Sequence, residues 1–283
     1  MTTTLRPAGP LQQTPDGGRS RTYDVCVNSR RVGTVELGTL AEAGRRAAGV
    51  IRSLAVDEPD RRRGRGTVAV LAAEEVLRGW GCDQVTASVP ADAAVALRMA
   101  TALGYTERSR TMAKDLTGPP PGPSGPPGRL DVRPMTEAEF GPWAARSAER
   151  FAAGWAAHGV PEDRARAKAE ASRRRYLPDG LATEGASLHV AVLDGVPVGH
   201  LWTGRADSPS GEEGAFVYDI EVADALRGQG HGRELMLFAE RVALDAGEHR
   251  IGLHVFADNT PALRLYESLG YRATRVHCFK PLL

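Results

Sequence analysis

The sequence predicts a mixed α/β fold (α+β, with mixed sheet) made of two related units. Three observations predict it. Strand patterns of period two alternate with amphipathic helical patterns along the 283 residues. The first half lies on the second at a constant offset of 166 residues without a gap, with Gly33 on Gly199, Val56 on Val222, Gly64 on Gly230 and Gly66 on Gly232. Between the halves stands TGPPPGPSGPPGR, Thr117 to Arg129, whose Pro and Gly density reads as a semi-rigid spacer.

The offset also carries Leu-Gly-Tyr at 103–105 onto 269–271, and Val76, Val89 and Leu97 onto Val242, Val255 and Leu263. A match held across strands, loops and helices is the mark of a long-period duplication. The expected boundaries are a polar N-terminal segment over 1–22, a truncated first domain over 23–116, the linker over 117–129 and a full second domain over 130–283.

Each copy opens on a hairpin, YDVCVNSRRVGTVEL or LHVAVLDGVPVGHLW, turning at Asn28-Ser29 or Asp194-Gly195. A third strand follows, VIRSLAV or FVYDIEV, and then a glycine-rich loop that runs into a helix. In the second copy Leu235, Met236, Ala239, Val242 and Ala246 recur at helical spacing until Gly247 stops it. The strand RIGLHVF leads to Asp258-Asn259-Thr260-Pro261, a helix cap with proline in the first turn. The helix ALRLYESLG ends at Gly270, and a last strand runs toward Phe279. Ahead of its hairpin the second copy alone adds a strand near Leu130 to Pro134 and two helices, about Glu137 to His158 and Pro161 to Tyr176.

Composition narrows the function. With 36 basic and 35 acidic residues the formal charge is +1, against the broad cationic surface that nucleic acid requires. The runs Arg61–Arg63 and Arg173–Arg175 are local, the latter reading as a solvated helix end. Cys26, Cys82 and Cys278 have no metal-like spacing and read as reduced thiols of a cytoplasmic protein, with no metal expected. No signal peptide and no apolar run of membrane-spanning length is present.

The loop Arg227-Gly228-Gln229-Gly230-His231-Gly232 sets closely spaced N–H groups before a helix N-terminus, an arrangement that attracts anions. Arg227 adds a charge able to pair with phosphate. A P-loop requires Lys-Ser/Thr after the last glycine, where this chain has Arg233-Glu234. A dinucleotide fingerprint must follow a strand directly, and DEPDRRR separates GRGTVA from its strand.

The remaining match is specific. Arg-x-x-Gly-x-Gly lies five residues past a strand ending in aliphatic-x-Val, and it is followed by a strand, an Asn-led helix and Leu-Gly-Tyr. In this the chain resembles the GNAT superfamily of acyl-CoA N-acyltransferases, fully over about Leu130 to Leu283 and in truncated form over Tyr23 to Leu116. The resemblance implies that acetyl-CoA is the acyl donor. The loop residues Arg227 through Gly232 would cradle its pyrophosphate, with Ile220, Val222 and Asn259 along its pantetheine arm between splayed strands.

Acetyl transfer to an amine needs a neutral nucleophile, a donor for the oxyanion and a proton for the leaving thiolate. The resemblance assigns the oxyanion donor to a backbone N–H near Val222 and the proton donor to Tyr266, whose phenol gives an apolar body a polar tip. Tyr266 shares a helical face with Ala262, Leu263 and Leu269, so packing also accounts for it. For the base, Glu221 and Asp219 alternate onto one face of the strand entering the cleft, with His254 on the opposing strand. Pairing with arginine is the plainer role of such carboxylates. His231 is expected to be a solvated loop residue rather than a catalyst. Trp143, Phe151 and Trp155 form one helical stripe, expected as core.

In the first copy Asn259, Tyr266 and Glu221 become Ala93, Ala100 and Ala55, while the anion loop remains as Arg61 to Gly66. The expected reading is a single catalytic site in the second domain, the first binding CoA unproductively or shielding the sheet. The acceptor is a small-molecule or peptide amine, and the protein a monomer or homodimer. The tandem layout is similar to that of mycothiol synthases within the superfamily, without a motif specific to that substrate. A non-catalytic acyl-CoA sensor is the alternative from another class.

Overall fold

The computed structural model describes residues 3–13, 17–40, 48–117, 130–205 and 214–282. The first copy supplies β1 (Thr3–Pro7), β2 (Gln12–Gln13), β3 (Arg19–Val27), β4 (Arg30–Leu40), β5 (Ala48–Val56), α1 (Arg65–Gly79), β6 (Gln84–Pro90), α2 (Ala94–Ala102) and β7 (Thr106–Asp115). The expected linker, apart from Thr117, lies outside the described residues. The second copy supplies β8 (Asp131–Pro134), α3 (Glu137–Ala157), α4 (Glu162–Tyr176), β9 (Ser187–Leu193), β10 (Val196–Arg205), β11 (Ala215–Val222), α5 (His231–Asp245), β12 (Arg250–Phe256), α6 (Thr260–Ser268) and β13 (Arg272–Pro281).

Turn chemistry fixes the hairpins. Asn28 and Ser29 take φ of 47° and 69°, and Asp194 and Gly195 take 50° and 81°. Two consecutive positive φ values give a turn whose twist matches that of the flanking strands. Register then forces a glycine in each copy. A Cβ at Gly199 would stand 2.4 Å from the Glu221 carbonyl oxygen, and one at Gly33 would stand 2.2 Å from that of Ala55.

The chain forms two compact units, Met1–Arg110 with Thr274–Leu283, and Thr111–Ala273. In the first the strand order is β1-β3-β4-β5-β6-β13, with β2 on β3; in the second it is β7-β12-β11-β10-β9-β8. The pairs β5–β6 and β11–β12 are parallel, and the hairpin pairs β3–β4 and β9–β10 are antiparallel. Compact units and sequence copies therefore differ in their last strands. Residues from Thr111 onward leave the first copy to complete the second unit, and Thr274–Leu283 completes the first. The two strands carry equivalent groups to the helix beneath each. Lys280 Nζ meets Glu74 of α1 at 2.8 Å in the first unit, and Lys114 Nζ meets Glu240 of α5 at 2.7 Å in the second.

The segment 1–22, assigned no element from its polar sequence, contributes β1, which pairs antiparallel with β3 from Thr3↔Val27 to Pro7↔Tyr23. Backbone pairing with β3 makes this strand, and Leu5 packs against the core of the first unit. In the first unit Val25, Val35 and Leu37 pack on Ala69, Ala73 and Leu77 of α1. In the second, Leu201, Val217 and Leu253 pack on Leu235, Met236 and Ala239 of α5. Trp143 of α3 is 4 % exposed and packs on Trp202, so this member of the aromatic stripe is core. Cys26, Cys82 and Cys278 are buried and unbridged. Among the described residues, no helix is long and apolar enough to cross a membrane.

Candidate active site

The site lies in the second unit, where a parallel ladder stops early. β11 pairs with β12 at Ala215↔Ile251, Phe216↔Gly252 and Val217↔Leu253, and the ladder ends there. From Trp202↔Asp219 to Gly199↔Val222, β11 stays paired with β10. One backbone edge of Tyr218–Val222 is thereby left open toward β12. A cavity of about 760 Å³ occupies this part of the unit.

One side of the cavity is the glycine loop. Gly228 (φ 78°) and Gly230 (φ 94°) are left-handed, and nothing lies within 4 Å of a Cβ placed on either. These glycines answer to backbone conformation alone. The amides from Gly228 to Gly232 make no hydrogen bond among the described residues; the helix ladder begins with Arg233 N and Glu234 N on the Gly230 carbonyl. A row of free N–H groups before a helix N-terminus is an anion cradle. Arg227 lines the cavity but is already engaged, at 2.6 Å with Asp224 and by its Nε donating to the Val222 carbonyl.

The first unit repeats this backbone. Arg62 (φ 58°) and Gly64 (φ 72°) stand at the positions of Gly228 and Gly230, and Arg61 Nε donates to the Val56 carbonyl. Arg62 takes a conformation that costs a side-chain-bearing residue roughly 1–2 kcal/mol.

Of the sequence-predicted residues, Ile220, Glu221, Val222, Gly228, Gly230, Gly232, Asn259 and Tyr266 line the cavity with Arg227, while Gln229 and His231 are not among its lining residues. Gln229 is exposed, its amide 3.5 Å from the Ala225 carbonyl. His231 corrects an expectation, being 1 % exposed rather than solvated, with neither ring nitrogen hydrogen-bonded. It is the first residue of α5 rather than the last of the loop, and that position turns it inward. His254 stacks on Trp155 at 5.7 Å and is not a lining residue.

Asn259 caps α6, its Oδ1 accepting from Ala262 N at 3.3 Å. Tyr266 sits two turns further on α6, and its hydroxyl makes no hydrogen bond among the described residues. Burial, with the charge of Asp219, pushes its phenol up to about 12. It therefore stays protonated, as a proton donor must.

The carboxylates form a cluster that the sequence reading saw only in part. Arg150 of α3 bridges them: Nη2 lies 2.8 Å from Asp219 Oδ2, and Nη1 pairs with Glu221 Oε2. Ser147 Oγ donates to Asp219 Oδ2 at 2.7 Å. His200 of β10, opposite Glu221 in the ladder, has Nε2 2.9 Å from Asp219 Oδ2 and Nδ1 3.5 Å from Glu221 Oε2. Burial pushes the Asp219 carboxyl up, but the hydrogen bond from His200 and the charges of His200 and Arg150 outweigh it, with Ser147 adding to them. The carboxyl is held below its ordinary range. Arg150, Ser147 and His200 escaped sequence reading although each carries a signal: two polar residues within an aromatic helical stripe, and a histidine inside a strand where the first copy has Thr34.

The chain matches the acetyltransferase (GNAT) family over residues 5–105 and again over 145–271. An uncharacterized N-acetyltransferase of Bacillus subtilis, YdgE, is 31% identical over 150 residues, covering 52% of this chain and 95% of that protein. A mycothiol acetyltransferase of Brachybacterium faecium is 30% identical over 224 residues, covering 77% of this chain and 64% of that one. A tandem GNAT protein of the clavulanic acid biosynthesis pathway shares the fold, with a TM-score of 0.54 at 20% identity, covering 96% of this chain and 85% of that one.

Proposed function

The chain belongs to the GNAT family of acetyltransferases, in tandem arrangement, and on that premise we propose that it moves an acetyl group from acetyl-CoA to a primary amine by direct attack in the second unit. The observation that carries this reading is one cavity lined by the free-amide loop, by Tyr266 and by Glu221 together. The residues present fit the donor. The amides of Gly228–Gly232 suit its pyrophosphate, and the open edge of β11 suits the amide groups of a pantetheine arm.

Glu221, ionised beside Arg150, takes a proton from the acceptor ammonium, since a primary amine with a pKa near ~10 is protonated at neutral pH. The backbone N–H near Val222 faces the oxyanion that forms on attack. Tyr266 gives its hydroxyl proton to the departing sulfur. The first unit, with Ala55, Ala93 and Ala100 at these positions, keeps the cradle without the groups for chemistry and is assigned no turnover.

Similarity to mycothiol acetyltransferases over 77% of the chain favours, as a second reading, an acceptor of the kind those relatives are named for. The test is thiol release from acetyl-CoA across an amine panel that includes the mycothiol precursor amine, comparing wild type with Tyr266→Phe. Turnover that the substitution suppresses supports the reading. Tight CoA binding without thiol release above background from either protein would instead make this a sensor.

A further inference from the structure

A second cavity, of about 40 Å³, lies between α3 and α4. Ser147, Phe151, Ser172 and Trp202 line it and the larger cavity alike, so the two adjoin. The shared residues belong to α3, α4 and β10, whereas the groups suited to acetyl-CoA belong to the glycine loop, β11 and α6. The small cavity therefore extends the side of the site that the donor leaves to the acceptor.

Its position follows from how the helices pack. Trp143, Leu177 and Trp202 belong to one apolar cluster, and Ala169, with Ala148 and Phe151 against it, to another. Ala144, Ala148 and Ala169 line the gap between the helices, and their short side chains leave it unfilled. Apart from Ser172 at the junction, the polar groups around it are committed or covered. Ser147 Oγ donates to Asp219 at 2.7 Å, Arg173 meets Glu170 at 3.1 Å, and Nε1 of both Trp143 and Trp202 is buried. The slot thus shows carbon to whatever enters it, and an ammonium there would lose its hydration without a partner. An apolar cavity of about 150 Å³ takes a benzene ring, so 40 Å³ admits a chain end of about two carbons and no ring.

We propose that this slot selects the acceptor: a primary amine joined by a short spacer to a compact aliphatic end, with neither a ring nor a second charge there. The proposal deepens the acetyl-transfer reading and rests on it. Ser147 ties the slot to the reacting groups, because its hydroxyl meets Asp219. Glu221 follows two residues on along the same face of β11, about 7 Å away. Its Oε2 is held by Arg150, and Oε1, without a partner among the described residues, is left for the ammonium. An amine at Glu221 thus reaches the slot through a chain of several methylenes. Among its described residues the first copy has no counterpart of α3 and α4, so the slot exists once.

The test is steady-state acetylation by the full chain of unbranched primary amines from butylamine to decylamine, with 1,8-diaminooctane beside octylamine. KM is expected to fall about fourfold with each methylene that enters the slot and to stop falling once it is full. The diamine, which sets a second ammonium in the slot, is expected to lose that gain. Ala169→Leu fills the slot and Ser172→Leu narrows its junction, and each flattens the series relative to butylamine. Leu177→Ala moves the end of the fall to a longer chain. A KM that keeps falling to decylamine, equal KM for octylamine and its diamine, or a series unchanged in both leucine variants overturns the proposal. Binding is read without turnover from alanine ¹³C-methyl spectra of the CoA complex. Octylamine is expected to shift the Ala148 and Ala169 methyls, assigned by Ala148→Ser and Ala169→Ser. If those methyls shift and no amine is acetylated, the acetyl-transfer reading fails while the slot keeps its occupant. If amines are acetylated with the methyls unmoved, the slot fails alone.

Discussion

Lys114 Nζ stands 2.7 Å from both carboxylate oxygens of Glu240, whose side chain has no solvent exposure. Lys280 and Glu74 repeat the pair at 2.8 Å, each residue displaced by the 166-residue offset. In both, a lysine from one copy's last strand neutralises a carboxylate under the other copy's helix. Removing the lysine leaves a buried charge without compensation, which costs about 3–5 kcal/mol. Lys114→Met and Lys280→Met are therefore expected to lower unfolding free energy by similar amounts in chemical denaturation. Lys114→Met with Glu240→Leu recovers most of the loss. Equal stability of wild type and Lys114→Met contradicts the exchange of strands.

Tyr266→Phe keeps the ring and removes the hydroxyl proposed to protonate the leaving sulfur. Loss of a general acid is expected to lower kcat by about a hundredfold or more, with KM for acetyl-CoA little changed. The phenol stays protonated well past neutrality because burial and the Asp219 charge raise it to about 12. The sign for stability follows. A folded-state value above the ordinary 10.0 means that this stability is fully present below pH 10 and lost as pH rises toward 12. Alkaline unfolding that begins later in Tyr266→Phe than in wild type checks it.

Where sequence and structure agree, one physical rule dominates locally. The hairpin turns at Asn28-Ser29 and Asp194-Gly195, the cap at Asn259 and the stop at Gly270 are each set by neighbouring residues, and each stands where the sequence places it. The loop residues other than Gln229 and His231 are found on the cavity for the same reason. What was not legible depends on distant partners. Arg150 meets Asp219 across 69 residues, and only packing of α3 over the sheet brings them together. His231 lies in a polar string, and burial was decided by its place at the start of α5. The exchange of last strands is invisible in principle, because two copies that match so well make either pairing read the same.

Gly230 separates loop conformation from packing. Its φ is 94° with open space around a Cβ, so Gly230→Ala strains the backbone by roughly 1–2 kcal/mol without a clash. The expected result is a tenfold or greater rise in the Kd for CoA by calorimetry, as the row of amides loses its aim. Gly247→Ala is the control: φ is 81°, also in open space, but the residue follows α5 and does not line the cavity. It is expected to lose similar stability and keep the wild-type Kd. Equal weakening in both would reduce the loop effect to general destabilisation.

The helix that carries Ser147 and Arg150 is itself held at its start by one carboxylate. Glu139 Oε2 accepts from Thr136 N at 2.9 Å and from Thr136 Oγ1 at 2.8 Å, and Arg133 closes on the same group at 2.7 Å. The Thr-Glu-Ala-Glu order is a capping signature, placed where a negative charge also faces the helix N-terminus. The Arg133 hydrogen bond, then those from Thr136, hold the Glu139 carboxyl down to about 2, against an ordinary 4.5. A depressed folded value means that the stabilisation is present above pH 4.5 and fades as pH falls toward 2. Glu139→Ala is expected to cost about 1 kcal/mol at neutral pH, the worth of a cap. Because Arg150 rides on α3, the substitution should also weaken its hold on Asp219 and Glu221 and lower kcat more than KM for acetyl-CoA. Full activity with an unchanged acid transition in Glu139→Ala would separate the cap from the site.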